Sequence, residues 1–332
     1  TPLYSSAASD VYKRQMVSAH ARWGRVHGGE SGGFELLESE GQPLRDDERV
    51  SGQLTPEELA RFCEIARTAR VDILTMLCEA GSGHTGGSLS IVEILTVLFY
   101  KKMRFRPGQP DWPDRDKLIL SKGHAAPALY AFLGRLGFFP IEQFRRLRKI
   151  GSILQGHVDC LTTPGVETST GSLGQGLSQA NGLALAERLN RRPTKVYVIL
   201  GDGEIEAGQI WEAVMTASHY KLDNLCAVVD WNRLQIDGQV EDVKGLSSLP
   251  EKWASFGWHV VSCDGHNFEA VHSALLEADR VKGRPTVIIA QTVKGKGVSF
   301  MEHQPEWHGI APTRDELERA LAELGAGTGR EA

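Results

Sequence analysis

The sequence lacks the features that mark membrane, nucleic-acid-binding and disulfide-stabilised proteins. No apolar segment approaches the ~20 residues that a helix needs to cross a bilayer. Lysine and arginine number 37 against 42 aspartate and glutamate, so the net charge is −5 and a nucleic-acid surface is disfavoured. The five cysteines are odd in number and form no Cys-x-x-Cys pair, which disfavours disulfide and zinc sites. We therefore expect a reduced, cytoplasmic protein with no nucleic-acid or membrane partner.

Sustained hydrophobic periodicity is missing from the first 52 residues. Gly, Ser, Glu and Arg dominate this stretch, and its opening lacks the apolar core and cleavage pattern of a signal peptide. We interpret residues 1–52 as a disordered or non-native N-terminal extension. One folded domain is expected over residues 53–332.

From Thr55 onward the chain alternates helical and strand patterns, and helices are expected over residues 91–101 and 141–150 among others. Thr55 and Glu58 form a capping box before the first helix, and Thr313 and Glu316 repeat it before the last. Short apolar runs between helical segments predict five strands, at residues 118–120, 196–200, 225–229, 258–263 and 286–291. This alternation predicts an α/β fold, a doubly wound and mostly parallel sheet flanked by helices.

Polar residues follow two of these strands within the stretch 195–238. The first strand ends in a Gly-Asp-Gly turn that contains Asp202, and Asn232 follows the next strand. Ligands bind beyond the carboxyl ends of parallel strands, so these two side chains are expected to converge. With the carbonyl of Leu234 they offer three oxygens to Mg²⁺, which takes its other ligands from water and phosphate. The alternative interpretation is an ordinary turn that uses Asp and Asn for its geometry.

Four histidines stand beside glycines in predicted loops: His84, His124, His157 and His308. A single histidine of this kind is more often structural, but four in one setting suit proton transfer and contacts to hydroxyl or phosphate groups. The run Gly-Ser-Leu-Gly-Gln-Gly before a helix is a weak phosphate-binding signal, and tight helix packing explains it equally well. The Lys-Gly-Lys-Gly run from Lys294 offers charge to phosphate, although a solvated basic loop is the commoner case.

The ordered set of these motifs resembles the transketolase family over most of residues 55–312. The motifs are SGH, LSKGH, GH, TGSLGQG, GDG followed by DWN, and WHG. The resemblance implies a thiamine-diphosphate-binding fold with thiamine diphosphate and Mg²⁺ (or Ca²⁺) as cofactors. Metal ligands would be Asp202, Asn232 and the Leu234 carbonyl. Residues implied to contact the cofactor are His124, Gly171, Leu173, Gly203, Asn232, Ile236 and His308. Residues implied to face the sugar as catalytic groups are His84, His157 and His308.

The sequence departs from the family pattern after the Gly-Asp-Gly turn. The usual GDGxxxEG is GDGEIEAG here, which puts Ala207 where the family often has glutamate and displaces Glu206 by one position. That glutamate helps to connect the two cofactor sites of the family's dimer, so the resemblance does not extend to this connection, although Glu212 is present. Thr85 also replaces a common proline after His84, which is a milder change.

The family's second domain has no counterpart in this sequence. In transketolases it supplies the glutamate that hydrogen-bonds the pyrimidine ring, and residues that bind sugar phosphate. The resemblance therefore implies the N-terminal, diphosphate-binding subunit of a split two-subunit transketolase, which transfers a two-carbon ketol unit from a ketose to an aldose. A C-terminal partner subunit would complete the active site, and the assembly would be a dimer of heterodimers acting on sugars or sugar phosphates.

Two other classes of function remain open at the sequence level. One keeps the cofactor but changes the reaction, as in 1-deoxyxylulose-5-phosphate synthase or the alpha subunit of an α-keto acid dehydrogenase. Ala207-Gly208 resembles the synthase, whereas the WHG and LQIDG segments favour transketolase. The other class is a non-catalytic binding module, which Asp202, Asn232 and the four histidines disfavour.

Overall fold

The computed structural model describes residues 52–236 and 238–326. The extension expected at 1–52 therefore lies, apart from Gly52, outside the described residues, as do position 237 and the last six positions of the expected domain. No helix in the described ranges is both long and apolar enough to cross a membrane.

Five parallel strands form the central sheet. In chain order the strands are β1 Lys117–Leu120, β2 Val196–Gly201, β3 Leu225–Trp231, β4 Leu234–Gln235, β5 Gly238–Gln239, β6 His259–Asp264 and β7 Thr286–Gln291. The order across the sheet is β1–β2–β3–β7–β6, and β4 pairs separately with β5 as a short antiparallel hairpin. The predicted parallel α/β sheet is confirmed.

Helices cover both faces of this sheet. They are α1 Pro56–Ala80, α2 Gly86–Leu89, α3 Val92–Val97, α4 Ala126–Arg135, α5 Gln175–Leu189, α6 Gly208–His219, α7 Val240–Lys244, α8 Leu249–Ser255, α9 Phe268–Arg280 and α10 Arg314–Glu323. Short 3₁₀ segments occur at Gly123–Ala125, Ile141–Arg146, Glu204–Glu206 and Pro305–His308. The capping boxes of Thr55 with Glu58 and of Thr313 with Glu316 both form, as predicted.

Strand alternation divides the hydrophobic core into two layers. Along β2, Val196, Val198 and Leu200 pack with α5 and α6 on one face, whereas Tyr197 and Ile199 pack on the opposite face. The strands are buried on both sides because successive side chains point to opposite faces. The parallel pairing of β2 with β3 places the carboxyl ends of both strands at the same edge of the sheet.

Two helix predictions were wrong in detail. A helix expected over 141–150 is only the 3₁₀ segment Ile141–Arg146, because Leu147 turns extended at ψ 128° and Arg148 adopts a left-handed φ of 60°. The helix expected over 91–101 is α3 followed by one π-helical turn at Leu98–Lys102. The β4–β5 hairpin was not predicted, since two residues per strand give no periodic signal.

Candidate active site

Asp202 and Asn232 converge at the carboxyl edge of the sheet. Gly201 lies in register with Asp230, so the turn after β2 faces the loop after β3. The Asp202 carboxylate accepts from the backbone N–H of Gly203 at 2.8 Å and from that of Arg233, next to Asn232. The side chain is only 3% exposed. The carboxylate thus ties the two strand-end loops together.

Asn232 is oriented by a second buried carboxylate, Asp230. The Asn232 Nδ2 donates to Asp230 Oδ2 at 2.9 Å, and its Oδ1 accepts from the Leu234 backbone N–H at 3.0 Å. Asp230 also accepts from Lys122 Nζ at 2.6 Å and from the Ser90 hydroxyl at 2.7 Å. The amide oxygen of Asn232 is therefore fixed on the same side as the Leu234 backbone.

Lys294 lies at this edge as well, which corrects the solvated-loop interpretation. Its side chain is 2% exposed, and its Nζ donates to the Leu234 carbonyl at 2.7 Å and lies 3.0 Å from His308 Nδ1. Its loop winds tightly, with φ of +81° at Gly295 and +96° at Gly297. The two glycines permit this backbone conformation, which side chains rarely adopt. We call Asp202, Asn232, the Leu234 carbonyl and Lys294 the oxygen cluster.

The electrostatics of the oxygen cluster suit a bound cation and an anion together. Burial, followed by the neighbouring Asp230 charge, raises the pKa of Asp202 to about 7. Burial lowers the pKa of Lys294 to about 8, although Asp202 opposes that shift. A buried carboxylate that is costly to ionise is stabilised by a metal ion, and a buried ammonium by phosphate.

The donor atoms also fit a hard divalent cation. Asp202, Asn232 and Leu234 offer carboxylate, amide and carbonyl oxygens, the ligand types that Mg²⁺ and Ca²⁺ prefer. A carbonyl oxygen has two lone pairs, so the Leu234 bond to Lys294 leaves one for a metal ion. In the described ranges no group of three or more His, Cys, Asp or Glu side chains is arranged to hold a metal. A site here therefore depends on the amide and carbonyl oxygens.

The four glycine-flanked histidines meet beside the oxygen cluster. The ring of His84 lies 5.0 Å from that of His124, 6.0 Å from that of His157 and 5.6 Å from that of His308, between centroids. The rings of His124 and His308 are 5.2 Å apart. We call these four residues the histidine cluster. The sequence predicted their common setting, and the structure brings all four together.

Burial keeps the histidine cluster uncharged. It lowers the pKa of His84 to about 4 and that of His308 to about 3, helped by neighbouring positive groups. The pKa of His124 falls well below its usual value for the same reason, and that of His157 is lowered by burial and by Arg148. Neutral imidazoles donate through one nitrogen and accept through the other, so the cluster is suited to hydroxyl groups.

The comparisons with known proteins agree with this site. The family model of the transketolase thiamine diphosphate binding domain matches residues 63–330. The chain belongs to the transketolase family. It is 46% identical to the 6-deoxy-6-sulfo-D-fructose transketolase subunit of Clostridium sp. (strain MSTE9), covering 78% of this chain and 94% of that protein. It is 41% identical to an apulose-4-phosphate transketolase subunit of Phocaeicola vulgatus, covering 77% and 90%.

Longer transketolases match this chain over less than half of their own length. The human transketolase is 38% identical over 81% of this chain and 42% of that protein. The solved transketolase of Leishmania mexicana superposes with a TM-score of 0.77 at 29% identity, covering 81% and 42%. Relatives that are named as transketolase subunits, by contrast, match over at least 90% of their length. The family consists of transferases that use thiamine diphosphate with a divalent metal.

One buried carboxylate joins three transketolase motifs at the site. Glu204 Oε1 accepts from the Ser121 hydroxyl and from the Gly174 backbone N–H at 2.9 Å, and Oε2 accepts from the Gly201 N–H at 2.9 Å. These partners belong to LSKGH, GSLGQG and GDG respectively. Sequence reasoning did not identify Glu204 as a site residue. The neighbouring Glu206 accepts from Gln235 Nε2 at 2.7 Å.

The remaining predicted cofactor contacts lie around these two clusters. Gly171 packs on His157, where an added Cβ would lie 2.9 Å from the ring, and its φ is +147°. Gly203 faces Gln235, and a Cβ added to Gly203 would lie 3.1 Å from the Cβ of Gln235. Leu173 and Ile236 are exposed, at 45% and 69%. Both are apolar groups available to a cofactor ring or to a partner subunit.

Proposed function

We propose that this chain binds the diphosphate end of thiamine diphosphate and, with a C-terminal partner subunit, transfers a two-carbon ketol unit from a ketose to an aldose. One observation carries the proposal. Lys294 contacts both the Leu234 carbonyl and His308, so its side chain joins the oxygen cluster to the histidine cluster. A metal diphosphate and a sugar would then lie side by side.

The oxygen cluster would hold the cofactor. Asp202, Asn232 and the Leu234 carbonyl would ligate Mg²⁺ or Ca²⁺, and Lys294 would neutralise diphosphate charge. His124, Gly171, Leu173, Gly203, Ile236 and His308 would complete the cofactor contacts. When bound, thiamine diphosphate supplies the carbon nucleophile that the protein itself lacks.

The histidine cluster would serve the sugar. His84, His157 and His308 would hydrogen-bond the substrate hydroxyls, with His157 near the C1 hydroxyl of the donor. Their lowered pKa values support this role, because a neutral ring nitrogen accepts a hydrogen bond from a hydroxyl group and a charged ring does not.

A partner subunit would supply the pyrimidine-binding half of the site. Support comes from relatives that are named as subunits and that the chain covers over at least 90% of their length. Whole transketolases match over about 42% of theirs. We propose a dimer of heterodimers. All five cysteines are free, which fits the reduced cytoplasmic compartment that we propose.

The donor that we propose is a ketose with an anionic terminal group. The two subunits compared above are named for a sulfonated sugar and for a sugar phosphate. Both names place an anionic group on the sugar, a 6-sulfo group in the first and a 4-phosphate in the second. Similarity at 41–46% identity supports this shared class and favours neither sugar.

The proposal is tested by assaying ketol transfer with thiamine diphosphate and Mg²⁺. The chain is assayed alone and mixed with the product of the adjacent gene, as the candidate partner subunit, using phosphorylated, sulfonated and uncharged ketoses. We expect activity only in the mixture and only with anionic donors. Activity of the chain alone would refute the need for a partner, and cofactor binding without transfer in the mixture would favour another thiamine reaction.

A further inference from the structure

A network of two buried side chains and one partly buried histidine contacts the loop that carries Lys294. Arg70 of α1 donates through Nη2 to Glu93 Oε1 of α3 at 2.7 Å. His266, in the turn after β6, places its Nδ1 2.9 Å from Glu93 Oε2. Arg70 and Glu93 are each 6% exposed. We call these residues the Arg70–Glu93–His266 network.

The two ends of the network bind the loop backbone on either side of Lys294. The Val293 N–H donates to His266 Nε2 at 2.7 Å, and Arg70 Nε donates to the Lys296 carbonyl at 2.8 Å. Because Nε2 of His266 accepts a hydrogen bond, its ring proton lies on Nδ1 and is donated to Glu93. The network therefore hydrogen-bonds the loop backbone on both sides of Lys294, at Val293 and at Lys296.

Close packing leaves the loop little freedom between these two contacts. A Cβ on Gly297 would lie 2.7 Å from Arg70 Nε, and a Cβ on Gly86 would lie 2.6 Å from Cγ of Lys294. The Gly295 N–H donates to the Gly86 carbonyl at 3.1 Å. The Lys294 side chain is therefore closely packed along its stem, and its Nζ donates to the Leu234 carbonyl at 2.7 Å.

We propose that the Arg70–Glu93–His266 network is a positioning device that aims the Lys294 ammonium at the diphosphate of the cofactor. This inference rests on the proposed function for its ligand. The network acts through Lys294, since within the described ranges none of its three side chains bonds to the metal-binding oxygens of the oxygen cluster. Its central group is Glu93, which joins the two arms.

The ionised carboxylate is what makes Glu93 the centre. Burial alone would raise the pKa of Glu93, but the His266 hydrogen bond and the Arg70 charge hold it below its usual value. The carboxylate therefore accepts from both neighbours at once. A glutamine in its place would present an N–H to one of two donors and so release one arm of the network.

Lysine labelling tests the positioning without any ligand. An amine-acylating reagent is applied to the full chain, and Lys294 is compared by mass spectrometry with Lys296, whose side chain is 36% exposed. We expect Lys294 to react at least about 10-fold more slowly than Lys296. Glu93→Gln should remove most of that difference.

Asp72→Asn is the matched control. It breaks another ion pair of α1, in which Nε of the 42% exposed Arg135 donates to Oδ2 of the buried Asp72 at 2.7 Å, away from the loop. It should leave Lys294 protected. Unchanged labelling in Glu93→Gln, or equal labelling in both variants, would overturn the inference.

A double-mutant cycle then tests the consequence for binding. Thiamine diphosphate affinity is measured with Mg²⁺ for the wild type, Glu93→Gln, Lys294→Met and the double variant. We expect Glu93→Gln to weaken binding about 10-fold, and to have no further effect once Lys294 is replaced. Additive effects would overturn the positioning role. An unchanged affinity in Lys294→Met would instead refute the proposed diphosphate contact, while the labelling result would still decide the network.

Discussion

The oxygen cluster and the histidine cluster are neighbours built in opposite ways. In the oxygen cluster, the Asp202 carboxylate and the Asn232 amide are bound by backbone groups and by Asp230. In the histidine cluster the rings mainly contact one another, and the buried Nδ1 of His84 has no hydrogen-bond partner among the described residues. The first is prearranged for fixed charges, whereas the second leaves polar nitrogen atoms for an incoming molecule.

The difference extends to charge. The oxygen cluster places a buried carboxylate near a buried ammonium, and burial pushes their pKa values towards each other. The histidine cluster has no carboxylate partner among the described residues, and burial keeps its rings neutral. We therefore expect cofactor binding to depend on the charges of the oxygen cluster. Use of the donor sugar should depend on the neutral rings of the histidine cluster.

Replacing Asp202 should have the largest effect, and this effect should fall on the oxygen cluster. Asp202→Ala removes the carboxylate that ties the two strand-end loops, so Mg²⁺-dependent binding of thiamine diphosphate should fall by more than about 100-fold. Isothermal titration calorimetry measures this loss. Asp223→Asn, at the opposite end of β3, is the control and should bind normally. Undiminished affinity in Asp202→Ala would refute the metal assignment.

Replacing His157 should affect the sugar alone. His157→Ala should lower kcat/KM for the donor about 100-fold, since a hydrogen-bonding and proton-transfer group is lost, while cofactor affinity stays unchanged. His308→Ala should affect both, because His308 also contacts Lys294. The exposed His219→Ala serves as the control. Equal losses of cofactor and donor binding in His157→Ala would contradict the division between the clusters.

Replacing Glu204 should damage the frame that both clusters share. Glu204→Ala leaves the buried N–H of Gly174 and the partly buried N–H of Gly201 without their acceptor, which should lower the free energy of unfolding by about 2 kcal/mol. Denaturant unfolding measures the loss. Glu206→Ala, in the same 3₁₀ segment, should cost much less, because it removes a side-chain bond to Gln235 and leaves no buried N–H of the turn without an acceptor. A similar cost for both variants would argue against a special role for Glu204.

The sequence was most informative where strand ends and loop glycines mark the site. Asp202 and Asn232 were placed correctly because parallel strands end at one edge, a rule that needs no knowledge of side-chain packing. The meeting of the four histidines followed from their ordered motifs. Their metal, cofactor and sugar roles stay predictions.

Groups joined over long sequence distances were missed. Arg70 bonds to Lys296, which is 226 residues later, and Lys294 bonds to Leu234, which is 60 residues earlier. No local pattern reports such contacts, so Lys294 was interpreted as a solvated residue and Glu93 was not identified. The wrong helix at 141–150 has a similar cause, since a left-handed Arg148 is stabilised by its surroundings and not by its propensity.

The smallest expected effect concerns Arg148, which lies beside the histidine cluster. A Cβ on Gly156, next to His157, would be 2.7 Å from its guanidinium, and its charge lowers the pKa of both His84 and His157. Arg148→Gln should raise both pKa values. The pKa of His308 should stay unchanged, because burial and the charge of Lys294 lower it. Histidine NMR titration measures each ring, and Arg148→Lys should preserve the wild-type values.

The same change has a defined consequence for stability. In the wild type, the folded pKa of His84 is about 4 against about 6.5 in the unfolded chain, so the unfolded state binds more protons between these values. Protonation of His84 therefore lowers the free energy of unfolding as the pH falls from about 6.5 to about 4. Arg148→Gln should raise the folded pKa of His84 and so reduce its difference from the unfolded value. The stability of this variant should therefore decline less steeply below pH ~6.5. An identical decline in wild type and variant would mean that burial alone keeps the histidine cluster neutral.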